Sequence, residues 1–124
     1  MFKGAQPQRG TEKSVGYDLK SNVEIVLKPF TPTKISTGLF IDMPEGYWAQ
    51  ICERSSLALK GIKVGGGIID PDYTGEICVI LMSVQEHLIK RGDKIAQLVF
   101  HAYHVFDDGN DKVRGDGGFG STGK

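Results

Sequence analysis

Apolar and polar side chains alternate with a period of two along most of this chain, and that rhythm predicts half-buried strands rather than helices. Val23, Ile25 and Leu27 share one face. Ile35, Thr37, Leu39, Ile41 and Met43 share another, with Lys34, Ser36 and Asp42 on the opposite side. Pro29 to Pro32 and Pro44-Glu45-Gly46 punctuate these runs, and Tyr47 to Cys52 reads as a strand leading into a helix cap. From Ile77 through Val84 nearly every residue is apolar, so both faces must be covered, as in the centre of a sandwich or at a subunit contact. Leu88-Ile89 and Ile95 to Phe100 add two strands around an Arg91-Gly92-Asp93 turn. One segment breaks the rhythm. In Arg54 to Gly61 a Ser-Ser pair precedes Leu57-Ala58-Leu59-Lys60 and a glycine closes the run, which predicts a short helix capped at both ends. Many short strands, frequent turns and one brief helix make the class all-β, of jelly-roll or distorted-barrel type. Residues 1–113 are expected to form the β core, and the glycine-rich residues 114–124 a mobile C-terminal arm.

Composition narrows the class of partner. A chain of 124 residues is one domain with a thin core, so oligomerisation would help it bury surface. Fifteen basic residues balance fifteen acidic ones, which argues against nucleic acid or a membrane surface as partner. No window reaches the roughly 18 apolar residues of a membrane span, and Met1 to Lys13 is polar rather than a signal peptide. A soluble intracellular protein is expected, in the cytoplasm or, in a eukaryote, the nucleus as well. Cys52 and Cys78 stand singly within apolar strands and read as reduced core residues. His101 and His104 have no cysteine or carboxylate at ligand spacing, so they decorate a strand end rather than hold a metal.

Three segments carry candidate chemistry. From Gly67 to Gly75, Asp70 and Asp72 flank Pro71, and Tyr73 is followed by Thr74 and Gly75. That composition predicts a β-hairpin with functional groups at its mouth, or else a surface hairpin with solvated acids. The first-turn N–H groups of the Arg54 helix lack internal partners, so with Arg54, Ser55 and Ser56 beside them they suit a phosphate; an ordinary capped helix with a surface arginine is the alternative. The tail from Arg114 to Lys124 sets Phe119 among glycines and could close over a ligand, with donors from Arg114, Ser121 and Thr122. Gly115, Gly117 and Gly120 imitate a dinucleotide-binding fingerprint. The imitation fails because the chain ends four residues after Gly120, leaving no helix and no acid roughly 20 residues on.

These segments, in order, resemble the five motifs of the trimeric deoxyuridine triphosphate nucleotidohydrolases (dUTPases). The motifs stand as Val15-Gly16-Tyr17-Asp18-Leu19-Lys20-Ser21, Arg54-Ser55-Ser56-Leu57-Ala58, Gly67 to Gly75, Arg91-Gly92-Asp93-Lys94-Ile95-Ala96-Gln97-Leu98, and Arg114 to Gly123, so the resemblance spans residues 15–124. Departures are few: Val15 replaces a frequent Ala, Lys94 a frequent Arg, and Glu53 a proline that commonly precedes the arginine. A carboxylate at Glu53 would weaken the positive field beside Arg54 or point to water.

The resemblance implies hydrolysis of dUTP to dUMP and pyrophosphate by water attack at the α-phosphate, which keeps uracil out of DNA and supplies dUMP for thymidylate synthesis. It implies Asp70 as the base, with Asp72 as rival. Tyr73 would pack on the deoxyribose, and backbone groups between Gly65 and Tyr73, including those of Gly67 and Ile69, would read the uracil edge. Arg54, Ser55, Ser56 and Gln97 would contact phosphates, and Arg114, Phe119, Gly120, Ser121 and Thr122 would close over the nucleotide. It further implies Mg²⁺, held by Asp18 through water, and a homotrimer with active sites at subunit interfaces. Deoxycytidine triphosphate deaminases resemble the same fold and share Arg-Ser-Ser and Asp-Pro elements, but their catalytic glutamate would fall at Ile80. A non-enzymatic nucleotide sensor would be expected to lose Asp70, Arg54 or the tail, all of which are present.

Overall fold

The alternation seen in the sequence becomes burial in space: along Thr33–Ile41, residues Ile35, Thr37, Leu39 and Ile41 are buried while Lys34 and Phe40 face out. A computed structural model describes residues 1–110. Its elements are β1 (Phe2–Gly4), β2 (Gln8–Arg9), β3 (Tyr17–Lys20), β4 (Ile25–Leu27), β5 (Thr33–Ile41), β6 (Tyr47–Cys52), α1 (Ser55–Leu59), β7 (Ile62–Gly65), β8 (Ile68–Ile69), β9 (Ile77–Ser83), β10 (His87–Ile89) and β11 (Lys94–Ala102). They form a four-stranded sheet in the order β1-β5-β9-β7, a five-stranded sheet in the order β2-β3-β11-β6-β8, and the pair β10-β4. Every ladder is antiparallel. The class is all-β with one short helix, as expected, but among the described residues these are separate sheets rather than one closed barrel.

All three sheets feed one apolar core. Leu19 and Leu98 enter from the five-stranded sheet, Ile35, Leu39, Val79 and Leu81 from the four-stranded sheet, and Leu27 and Ile89 from the pair. Each is essentially without solvent exposure. A fully buried aliphatic side chain contributes about 1.5–3 kcal/mol, so this shared core holds the sheets together. The apolar run in β9 is explained by its place: β5 lies on one side, β7 on the other, and five of its seven residues are buried. Val23 and Met43 fall outside β4 and β5 yet still pack against the core.

Two expectations need correction. The segment after Gly67 is not a β-hairpin, because β8 pairs with β6 while β9 pairs with β5 and β7. Asp70 to Glu76 therefore carries the chain from one sheet to the other. In the helix, Arg54 rather than a serine occupies the N-cap, in extended backbone (φ −81°, ψ 142°) and with no side-chain cap bond. Ser55 and Ser56 are the first two helical residues, both exposed, while Leu57 anchors the turn in the core. At the other end Gly61 takes φ +81° and donates to the Ala58 carbonyl at 3.0 Å, the left-handed glycine stop that the sequence suggested.

Candidate active site

Strand register assembles the first half of the site. Gln97 on β11 lies opposite Asp18 on β3 and opposite Cys52 on β6, so the three side chains share a face and the chain leaving β6 brings Glu53 and Arg54 alongside. The Asp18 carboxylate sits 3.4 Å from Arg54 Nε and 3.6 Å from Lys94 Nζ. Arg54 Nη1 also donates a long bond, 3.5 Å, to the Lys94 carbonyl. Such partly exposed pairs are worth about 0–1 kcal/mol each, so they orient the two cations more than they stabilise the fold. Gln97 donates from Nε2 to the Glu53 carbonyl at 2.9 Å. Gly16 allows that arrangement: a Cβ there would lie 2.1 Å from Gln97 Oε1. Lys94 joins this cluster through the β3–β11 register and Glu53 through the β6–β11 register, and sequence reading assigned neither a role.

Two clefts flank the Asp18–Arg54–Lys94 cluster. One, of about 470 Å³, is lined by Arg9, Asp18, Lys20 and Lys94 among others, and the second, of about 440 Å³, by Arg54, Ser56, Lys60, His87 and Lys94. Cationic side chains on both clefts, with the exposed Ser56 in the second, suit a polyphosphate. Asp70 and Tyr73 line neither cleft.

Asp70 and Tyr73 belong to the second half, the crossing between sheets. Ile69 is buried opposite Ala49, Asp70 emerges half-buried, and Tyr73 N–H closes a turn on the Asp70 carbonyl at 3.1 Å. Tyr73 is only 8% exposed, and its hydroxyl donates to the Glu76 carbonyl at 2.6 Å. Before this crossing runs the loop Gly65-Gly66-Gly67. Gly66 and Gly67 take φ +66° and +103°, and a Cβ on Gly67 would meet the Ile51 carbonyl oxygen at 2.6 Å. The Gly67 carbonyl accepts from Ile51 N–H at 2.7 Å, which fastens the loop to β6. Ile80, where a deaminase would need its acid, is an apolar strand residue with a methyl 3.4 Å from where a Gly65 Cβ would lie.

The ionisable groups divide into anchors and spectators. Glu53 Oε2 accepts from Val64 N–H at 2.9 Å, and that bond holds its carboxyl below the usual range. One carboxylate oxygen is thus turned onto β7, and the group stays ionised at neutral pH. Burial pushes the Cys78 thiol up to about 11 and raises Cys52 as well, so neither is a nucleophile near neutral pH. Both are free thiols. His101 lies on β11, stacked on Trp48 and bonded to Gln50, and His104 follows the strand end.

Among the described residues no three His, Cys, Asp or Glu side chains gather as a ready metal cage. Asp18 offers a single hard carboxylate, paired here with Arg54 and Lys94, and Mg²⁺ is an ion that keeps much of its water and binds through one or two carboxylates plus substrate phosphates. Arg114, Phe119, Gly120, Ser121 and Thr122 lie outside the described residues.

A family model described as dUTPase matches residues 3–123. The deoxyuridine 5′-triphosphate nucleotidohydrolase of Arabidopsis thaliana is 45% identical over 129 residues, covering 98% of this chain and 78% of that protein. That of Paramecium bursaria Chlorella virus 1 is 42% identical over 125 residues, covering 94% and 89%. Among solved structures, native EIAV dUTPase matches with a TM-score of 0.74 at 27% identity, covering 89% of this chain and 98% of its own. A mutant dUTPase from phage phi11 of S. aureus, described with a structural Mg(II) ion, matches with a TM-score of 0.81 at 21% identity, covering 90% and 95%, and shares the fold. No helix among the described residues is long and apolar enough to cross a membrane. A family match from residue 3 to residue 123, with relatives above 40% identity over nearly the whole length, shows that this chain belongs to the dUTPase family.

Proposed function

We propose that the chain is a dUTP diphosphatase that hydrolyses dUTP to dUMP and pyrophosphate, keeping uracil out of DNA and supplying dUMP for thymidylate synthesis. The match to the dUTPase family over residues 3–123 carries this reading. Arg54, Ser55 and Ser56 bind the phosphates, helped by Gln97, where developing negative charge on the leaving pyrophosphate needs donors. Asp70 takes a proton from the attacking water, which adds at the α-phosphorus as the bond to the bridging oxygen of pyrophosphate breaks. The glycine loop and Ile69 present backbone groups to the uracil edge, and Tyr73 closes the floor beneath the deoxyribose, where a 2′-hydroxyl would not fit.

Asp18 would hold Mg²⁺ through its waters, and the ion would supply charge neutralisation and a fixed phosphate geometry. Membership of the dUTPase family supports a site completed between subunits of a homotrimer. Residues 114–124 supply the closing arm, with Phe119 on the base and Arg114, Gly120, Ser121 and Thr122 along the phosphates. Pyrophosphate release, measured with Mg²⁺ on dUTP, dCTP, dTTP, UTP and dATP, tests the proposal. Turnover confined to dUTP and abolished by EDTA is expected, while comparable turnover of UTP or dTTP would refute the specificity.

A further inference from the structure

Tyr73 is placed by the residues that follow it in the chain. Its N–H closes a turn on the Asp70 carbonyl at 3.1 Å, which fixes the backbone end of the residue. Its hydroxyl donates to the Glu76 carbonyl at 2.6 Å, which fixes the far end of the ring. Gly75 lies between, directly against the phenol. A Cβ there would stand 2.6 Å from the Tyr73 hydroxyl oxygen, 2.8 Å from Cζ and 3.0 Å from Cε1, so no larger residue leaves room for the ring in this pose. Gly75 is not among the glycines at positive φ, so it is the ring, and not a left-handed backbone, that calls for glycine here. The latch on the hydroxyl is firmly mounted. Glu76 turns its carboxylate onto the Ser36 hydroxyl and onto Gly38 N–H at 2.8 Å, and Ile77, next in the chain, opposes Leu39 in the β5–β9 ladder. Asp70, Tyr73, Gly75 and Glu76 all stand on one short stretch of one chain, so the arrangement is complete within each subunit, whichever neighbours supply the rest of the site.

We propose that Gly75 is a positioning residue for sugar selection: by presenting no side chain it lets the Tyr73 ring lie against the backbone with its hydroxyl latched to the Glu76 carbonyl, and that pose sets the clearance at C2′ of the nucleotide. This rests on the reading that Tyr73 meets the deoxyribose. A carbon wall rejects an added hydroxyl by only about 10²-fold even when well placed, so a ring able to swing would forfeit much of that margin. The backbone end of Tyr73 is tied at Asp70, and the residue is only 8% exposed within the core. A ring driven off Gly75 therefore tilts at its phenol end rather than retreating whole, which opens a wedge where a 2′-hydroxyl would stand.

The test uses full-length Gly75→Ala, Tyr73→Phe and the double variant, with steady-state kinetics on dUTP and UTP and a Tm for each protein. Gly75→Ala pushes the ring off its seat, whereas Tyr73→Phe releases the latch without adding an atom. Each should lower the dUTP-over-UTP ratio of kcat/KM about 10-fold, and in Gly75→Ala the loss on dUTP should fall on KM more than on kcat. Both changes act on one ring, so the double variant should also lose about 10-fold, not the roughly 100-fold of independent sites. An unchanged ratio in either single variant, or a multiplied loss in the double, would overturn the proposal. A Gly75→Ala protein with a lowered Tm and a wild-type ratio would reduce the glycine to a packing role and overturn it as well. Should Gly75→Ala fail to fold, the ratio in Tyr73→Phe decides alone. A wild-type protein that turns over UTP as readily as dUTP would instead refute the reading of Tyr73 on which the proposal rests.

Discussion

At Asp70 the difference between a carboxylate and an amide is chemical rather than steric. Asp70→Asn preserves the size of the side chain but cannot take a proton from water, so kcat for dUTP should fall at least roughly 10²-fold while nucleotide binding persists. Stopped turnover with intact binding would assign the base; a retained kcat would move it to Asp72. Glu76 offers a second test, this one of stability. Its carboxylate accepts from the Ser36 hydroxyl and from Gly38 N–H at 2.8 Å, bracing the bulge where β5 slips register against β9. Those bonds, led by Ser36, hold its carboxyl below the ordinary value against an opposing burial effect. A depressed folded-state value means that the stabilisation is present above the unfolded value, near pH 4.3, and fades as pH drops through the folded one. Glu76→Gln should cost about 1 kcal/mol at pH 7, a figure already reduced for partial exposure, and the gap to wild type in urea unfolding should narrow by pH 3.

Elements show where sequence reading ends. Tyr47–Cys52 matched its strand to the residue, and the period-two faces of β5 were visible, because alternation depends only on which side of a sheet is wet. The partner of each strand was not visible. The misread hairpin after Gly67 follows from that gap: turn composition signals a reversal, yet only tertiary pairing decides that β8 joins β6 and β9 joins β7. β7 itself, with its short Ile-Lys-Val-Gly alternation, passed without notice. Within the candidate site the motif residues could be named from the sequence, whereas the contacts of Lys94 and Glu53 depend on register and reach. The glycine loop gives an element-scale prediction. Gly66 has open space around a would-be Cβ, so Gly66→Ala carries only the left-handed backbone cost of about 1 kcal/mol. Gly67→Ala adds a clash with the Ile51 carbonyl and should cost roughly 2–4 kcal/mol, read as a lower Tm and a frayed β6–β8 bridge.

At the scale of the whole molecule, a site divided between subunits can be rebuilt from broken parts. Asp70→Asn chains lack the base but keep residues 114–124, and chains truncated after Val113 have the opposite defect. Each alone should be nearly inactive. Randomly assorted in a cyclic trimer, a good Asp70 and a good arm from different chains meet in roughly a quarter of sites, so co-expression should restore activity toward that fraction. Verified mixed trimers with no recovered turnover would refute the shared site. Assembly and ligand closure could also be followed without any label. Trp48 is the only tryptophan of the chain, and it lies flat on His101, with ring centroids 4.6 Å apart and planes 20° from parallel, while His101 is steadied by Gln50 at 3.0 Å. Excited at wavelengths beyond the absorption of the four tyrosines, a lone indole stacked on an imidazole is an optical gauge whose signal has one source. Any event that parts the two rings, or dries the half-exposed strand face they occupy, will register as a change in emission from a single address.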